Sequence, residues 1–201
     1  MKNEKRIRAD ILSAAEDLFT KYGFVKTSVD DIARMCHHAK GSVYYNFENK
    51  LDIYRELVSS EFDKIRSSLE AMVERRKETK EAISDYLLAR MHLFYKTKLI
   101  RQLLCEKDES SDFAIAATDI RSGFDKWEWN CFNDMCRHGI EDGVLSADIQ
   151  PRPFADMLQM FLKSIEIQLF KNDSFDSSIN TYEYMVKMLL GNINNSNDIA
   201  K

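Results

Sequence analysis

Two prolines and six glycines in 201 residues leave few places for tight turns. A turn-rich, many-stranded sheet needs far more of that punctuation, so it is excluded. No apolar run approaches the roughly 18 residues that a membrane-spanning helix requires. The opening "MKNEKRIRAD" is charged and lacks the apolar core of a secretion signal. Four cysteines without such a signal predict reduced thiols and a cytoplasmic protein with no membrane partner. Strong charge of one sign is also missing. The net charge is −4, which by itself argues against a nucleic-acid partner. Its distribution is uneven: residues 1–58 carry ten basic and nine acidic side chains, and the rest nineteen and twenty-four. No nucleophile elbow, glycine-rich phosphate loop or HExxH is present. The acidic residues read as spread over solvent faces. No catalytic residue, metal or cofactor is therefore expected, and the chain is not read as an enzyme.

What is present is helical spacing, nearly without interruption. The fold class is all-α, with about nine helices, and 44% hydrophobic residues suffice for one or two cores. Ile7, Ile11, Ala14, Leu18 and Tyr22 form the stripe of a first helix, which Gly23 suits as a left-handed cap. Thr27 and Ser28 can cap a short second helix whose buried side holds Val29, Ile32, Ala33 and Cys36. After a break at His37 and His38, a third short helix turns Val43 and Phe47 inward. Asn49 can cap a long fourth helix carrying Leu51, Tyr54, Val58, Phe62, Ile65, Leu69 and Met72. That helix ends in the charged run "ERRKETKE". A fifth carries Ile83, Tyr86, Leu87, Met91 and Phe94, and less regular sequence follows through "CEKDESSD". A sixth is expected over Phe113–Ser122 and a seventh from Phe124 to "HGIEDGVL", where Gly139 and Gly143 loosen the chain. Pro151 and Pro153 open an eighth, and a ninth covers Ser178–Asn192.

Several side chains carry two readings. Cys36, His37 and His38 have ligand chemistry but no CxxC or HxxxH beside them, and Cys36 is needed on a buried stripe. Cys131, Cys136 and His138 fall within eight residues, as a sensor would need or as ordinary buried thiols would allow. Tyr86, Met91, Phe94, Trp127, Cys131 and Met135 are candidates for lining a ligand pocket, although such a stripe also builds plain core.

Three helices within about 47 residues, the second and third short and tightly joined, fit a helix-turn-helix. The later helix of that motif enters the DNA major groove. It needs an apolar inner face, met by Val43 and Phe47, and a polar outer face, met by Lys40, Ser42, Tyr44, Tyr45 and Asn46. The stretches "TSVDDIARMC" and "KGSVYYNFENKLDIY", preceded by "ILSAAEDLFTKYGF", closely resemble the TetR family of transcriptional regulators. The resemblance implies phosphate contacts at Thr27, Ser28 and Lys50. It implies groove-facing roles for Lys40, Ser42 and Tyr44, close backbone approach at Gly41, and groove-edge or phosphate contacts at Tyr45 and Asn46. Two departures stand out. His37 occupies a turn position where the family commonly has glycine, at a left-handed penalty of roughly 1 kcal/mol. Ala39 stands where the family often has a capping Ser or Thr.

The expected organisation is a DNA-binding domain over residues 1–50, an effector-binding and dimerisation domain over 51–195, and a polar tail at 196–201. The eighth and ninth helices are apolar on more than one face, which predicts a homodimer through Phe154, Leu158, Phe161, Ile165, Ile179, Tyr182, Val186 and Leu189. Two-fold symmetry would match a near-palindromic operator on double-stranded DNA. The function expected is a repressor released by a small-molecule effector. The alternative is a helical sensor or adaptor of the same family that has lost operator binding.

Overall fold

The computed structural model describes residues 2–74, 79–105, 112–170 and 175–191; the tail expected at 196–201 and residues 75–78 of "ERRKETKE" lie outside them. Among the described residues there are nine helices and no strand: α1 (Lys2–Tyr22), α2 (Val29–Met35), α3 (Lys40–Asn46), α4 (Lys50–Val73), α5 (Thr79–Lys96), α6 (Lys98–Cys105), α7 (Asp112–Glu141), α8 (Pro151–Phe170) and α9 (Phe175–Gly191). They form two compact units. Residues 1–63 and 97–120 make the first, residues 64–96 and 121–201 the second.

In the first unit, Ile11, Ala15 and Phe19 of α1 meet Ile32 and Ala33 of α2, Val43 of α3, and Tyr54 and Val58 of α4 in one apolar core. The buried stripe of α1 is rotated from the expected one, leaving Tyr22 half exposed. Gly23 ends α1 with φ 82°, and its N–H donates to the Phe19 carbonyl at 2.8 Å, a geometry that glycine adopts without steric cost. Phe19, Phe24 and Tyr54 interlock with ring centroids 5.1–5.8 Å apart. Asn49 caps α4 by accepting from the Asp52 N–H at 3.0 Å.

Helix α6 stands where irregular sequence was expected. Leu99, Ile100 and Leu103 are its buried side, and Gln102 donates to the Thr20 carbonyl of α1 at 3.3 Å. The expected sixth and seventh helices are instead one, α7, thirty residues long. Gly123 sits within it at a cost of about 1 kcal/mol relative to alanine, which the rest of a long helix outweighs.

The second unit packs α5, α8 and α9 around Ile83, Tyr86, Leu87, Phe132, Leu158, Leu162, Tyr182 and Val186. The Tyr182 hydroxyl donates to the Leu87 carbonyl at 2.8 Å. Gly139 does not loosen α7. A Cβ there would lie 2.7 Å from Leu145 Cδ1 and 2.8 Å from Thr79 Cγ2, so the residue permits a close approach. The expectation that acidic residues keep to solvent faces is corrected: Glu128 and Glu166 are buried, because each faces a guanidinium inside the unit.

Candidate nucleic-acid interface and neighbouring sites

Helix α2 starts with a capping box. The Asp31 N–H donates to Ser28 Oγ at 3.1 Å, and the Ser28 N–H to Asp31 Oδ2 at 3.1 Å. The Ser28 hydroxyl holds the Asp31 carboxyl below its usual value. The turn to α3 passes through His37, whose φ of 57° makes it the one non-glycine residue with positive φ among the described residues. His38 Nε2 lies 3.1 Å from Asp10 Oδ2, fastening the turn to α1. Ala39 is the N-cap of α3 and supplies no side-chain cap bond.

On α3, Val43 and Phe47 are buried, while Tyr44 is 48% and Tyr45 77% exposed. Lys40 is exposed and pairs with Asp30 of α2 at 2.7 Å, a contact that raises its pKa. Among the described residues, no atom beyond its chain neighbours and its own helix backbone lies within 4 Å of a Cβ built on Gly41, so its outer side is open. Asn46 Nδ2 donates to the Ser42 carbonyl at 2.8 Å. These residues form one polar, solvent-facing ridge.

Two residues expected at phosphates have partners within the chain. Thr27 is only 3% exposed, and its hydroxyl donates to the Gly23 carbonyl at 2.8 Å. Lys50 Nζ donates to the carbonyls of Phe24 at 2.8 Å and Thr27 at 2.7 Å and lies 4.1 Å from the Phe24 ring centre. Burial lowers its pKa. Both side chains hold the α1–α2 loop rather than an outer surface. Arg8 was not singled out from sequence. It donates to the Asn46 carbonyl at 2.8 Å, pairs with Glu56 and covers the Phe47 ring, clamping the end of α3 to α1 and α4. Asp30 was missed likewise. Its place opposite Lys40 follows from the turn geometry, which sequence spacing does not reveal.

In the second unit, Tyr86, Met91 and Phe94 are fully buried. They pack in the core of the unit and do not border the groove beside Trp127. Trp127, Cys131 and Met135 do line a groove of about 320 Å³, together with Val73, Glu70, Glu74 and Asp134. Burial, helped by Glu128, Asp134 and Glu70, pushes the Cys131 thiol up to about 12. Burial also raises Cys136. Both thiols thus stay protonated at neutral pH, which disfavours thiolate chemistry.

Behind the groove lies a buried ion cluster. Arg90 Nε donates to Glu128 Oε1 at 2.6 Å and Nη2 to Glu128 Oε2 at 3.3 Å, while Nη1 contacts Glu166. The Tyr86 hydroxyl donates to Glu128 at 2.9 Å, and Arg121 reaches Glu166 at 2.7 Å. Arg90 Nη1, Arg121 Nη2 and Glu166 Oε1 make no well-aimed hydrogen bond, so those contacts are ion pairs by proximity. Burial opposes the Arg90 charge, but Glu128 and Glu166 outweigh it. Burial raises Glu128, with Arg90 and Tyr86 opposing.

On α8 and α9, Phe154, Leu158, Tyr182 and Val186 are buried inside this unit and have no surface for a partner, correcting their assignment to a dimer contact. Phe161, Ile165, Ile179 and Leu189 are partly exposed. Met157, Met160, Ile167, Tyr184, Met185 and Met188 are exposed, Met160 to 72%.

Residues 11–57, the helix-turn-helix and its flanks, match the family described as bacterial regulatory proteins, tetR family. The regulator AcrR of Shigella flexneri is 23% identical over 190 residues, 90% of this chain and 87% of its own. A TetR-family regulator from Pectobacterium atrosepticum superposes with a TM-score of 0.76 at 16% identity, covering 96% of this chain and 97% of that one. The regulator FadR from Bacillus subtilis, solved in complex with stearoyl-CoA, gives 0.71 at 19% identity over 90% and 96%. No helix among the described residues is long and apolar enough to cross a membrane. Residues 11–57 thus match the tetR-family helix-turn-helix, and the described helices share the fold of the solved TetR-family regulators.

Proposed function

We propose that the protein is a cytoplasmic homodimeric repressor that binds a near-palindromic operator and lets go when a small molecule occupies its second unit. The observation that carries this reading is the ridge on α3. Lys40, Tyr44 and Tyr45 stand exposed on a helix whose inner face is locked by Val43 and Phe47. Lysine and tyrosine supply donors for base edges and phosphates. Asp30 restrains Lys40 in the free protein, and a phosphate or guanine acceptor would replace it. Ser28 and the open side of Gly41 are the proposed backbone-facing groups, with Lys40, Ser42 and Tyr44 toward the groove and Tyr45 and Asn46 at its edge. The exposed side chains of α8 and α9 support self-association, since an apolar patch of that kind marks an interface. A two-fold axis would then present two α3 helices to half-sites about one helical turn, or a multiple of it, apart.

Release follows from linkage. An effector that binds better to a dimer whose heads are mis-spaced lowers operator affinity by the ratio of its two affinities. Helix α4 is the natural lever. Its first residue fastens the α1–α2 loop and its last turns border the groove at Trp127. A gel shift of the full chain against sheared genomic DNA tests the reading. Retention of a few discrete fragments in excess competitor is the expected result. Uniform retention, or none, leaves the adaptor reading instead.

A further inference from the structure

The groove beside Trp127 has a chemistry that the operator-binding head does not explain. Trp127, Val73 and Met135 give it an apolar lining, Asn130, Cys131 and His138 complete the wall, and the three carboxylates of Glu70, Glu74 and Asp134 stand around it. Its volume of about 320 Å³ falls at the lower end of small-ligand sites. Asp134 accepts from Asn133 Nδ2 at 3.4 Å and has Arg137 at 3.9 Å, both at an exposed surface, and Glu74 makes no ion pair among the described residues. Glu70 pairs with Arg66 at 2.9 Å, and the Arg66 guanidinium lies 5.2 Å from the Trp127 ring centre. The chain's own cation therefore shows what the site accepts: positive charge over an indole, next to a carboxylate. That internal pair is exposed and screened, so an external cation with more apolar surface can displace it. Glu70 and Asp134 also help to keep the neighbouring Cys131 thiol protonated, an independent mark of negative potential at the groove.

We propose that this groove binds an organic cation with an apolar, aromatic-sized body. Its role as the effector rests on the function proposed above; its binding does not. A carboxylate or phosphate ligand would meet the same carboxylates with the wrong sign.

The test uses the full chain and two ions of the same shape and opposite charge, tetraphenylphosphonium and tetraphenylborate, titrated by calorimetry and by tryptophan fluorescence. The cation is expected to bind once per chain and at least about tenfold tighter than the anion, the ratio set by about 1.4 kcal/mol of charge discrimination. Glu70→Gln/Glu74→Gln/Asp134→Asn should weaken the cation by about tenfold or more and reduce its advantage over the anion. Its melting temperature and helicity are checked against the unsubstituted chain. Glu74→Gln alone, at an exposed position, gives a smaller loss with no risk to folding. Equal or tighter binding of tetraphenylborate overturns the proposal. Unchanged cation affinity in the triple variant overturns it too. Operator affinity is read separately, with and without the cation. A chain that binds the cation and retains its operator keeps the site and loses its effector role. A chain that binds the cation and no operator loses the regulator reading alone.

Discussion

Replacing Arg90 by methionine tests the buried ion cluster. Methionine keeps the aliphatic bulk and deletes a charge that is fully buried. Glu128 loses two donors, at 2.6 and 3.3 Å, and Glu166 loses one contact. Breaking a buried pair by removing one partner costs about 3–5 kcal/mol, because the remaining charge is left in a poor medium. Here Arg121 still meets Glu166 and Tyr86 still donates to Glu128, which places the loss near the lower end, about 3 kcal/mol. For a chain of this length that is a fall in melting temperature of about 6–12 °C. The deficit should depend on pH with a definite sign. Burial already raises Glu128, and without Arg90 it rises further. A carboxyl whose folded value lies above its unfolded value favours folding at low pH and costs stability as pH rises through the folded value. The deficit should therefore be full at about pH 7.5 and shrink toward about pH 5. Arg90→Met/Glu128→Gln/Glu166→Gln should recover more than half of it, since the charges leave together. Urea unfolding at both pH values is the assay. A loss under about 1 kcal/mol at the higher pH, or a deficit that grows on acidification, refutes the reasoning.

Other substitutions test separate parts of the account. His37→Gly should raise stability by up to about 1 kcal/mol in urea unfolding, since it relieves a left-handed histidine; a loss would mean that the imidazole contributes more than its backbone costs. Gly41→Ala should leave stability equal or slightly higher, because the space is open and alanine favours helix, yet weaken DNA binding if phosphate comes close. Unchanged DNA affinity would remove Gly41 from the interface. Met160→Glu/Met188→Glu should shift light scattering at micromolar concentration from twice the 23.5 kDa chain mass to one, and operator binding should fall with it. A chain that is monomeric without substitution would remove the palindrome.

The head was legible because its signals are local. A capping serine, an aspartate three residues on, and Val43 and Phe47 four apart are all written within one turn of helix. The strained turn was legible through the family resemblance, since His37 stands where that family commonly has glycine. What spacing missed is long-range. Lys50 reads as a free cation until the chain folds two carbonyls onto it, 23 and 26 residues away. Arg90, Glu128 and Glu166 read as solvent charges, because 38 residues separate each from the next and no periodicity marks ion pairs between helices. The gap expected between Ser122 and Phe124 falls at Gly123, and glycine weakens a helix without having to end it. Interface residues on α8 and α9 were chosen by stripe. The stripe identifies the chain's own core, and the faces beyond it are what remain for a partner.

The central claim is that α3 reads DNA through its exposed ridge. A duplex selected by the protein from a random library, and an unselected duplex of equal length, are titrated by fluorescence anisotropy at one salt concentration. For Lys40→Ala/Tyr44→Ala the account predicts an unchanged melting temperature and a loss of at least about tenfold on the selected duplex, bringing it toward the unselected one. Binding of the selected duplex as tight as that of the unsubstituted chain would contradict it.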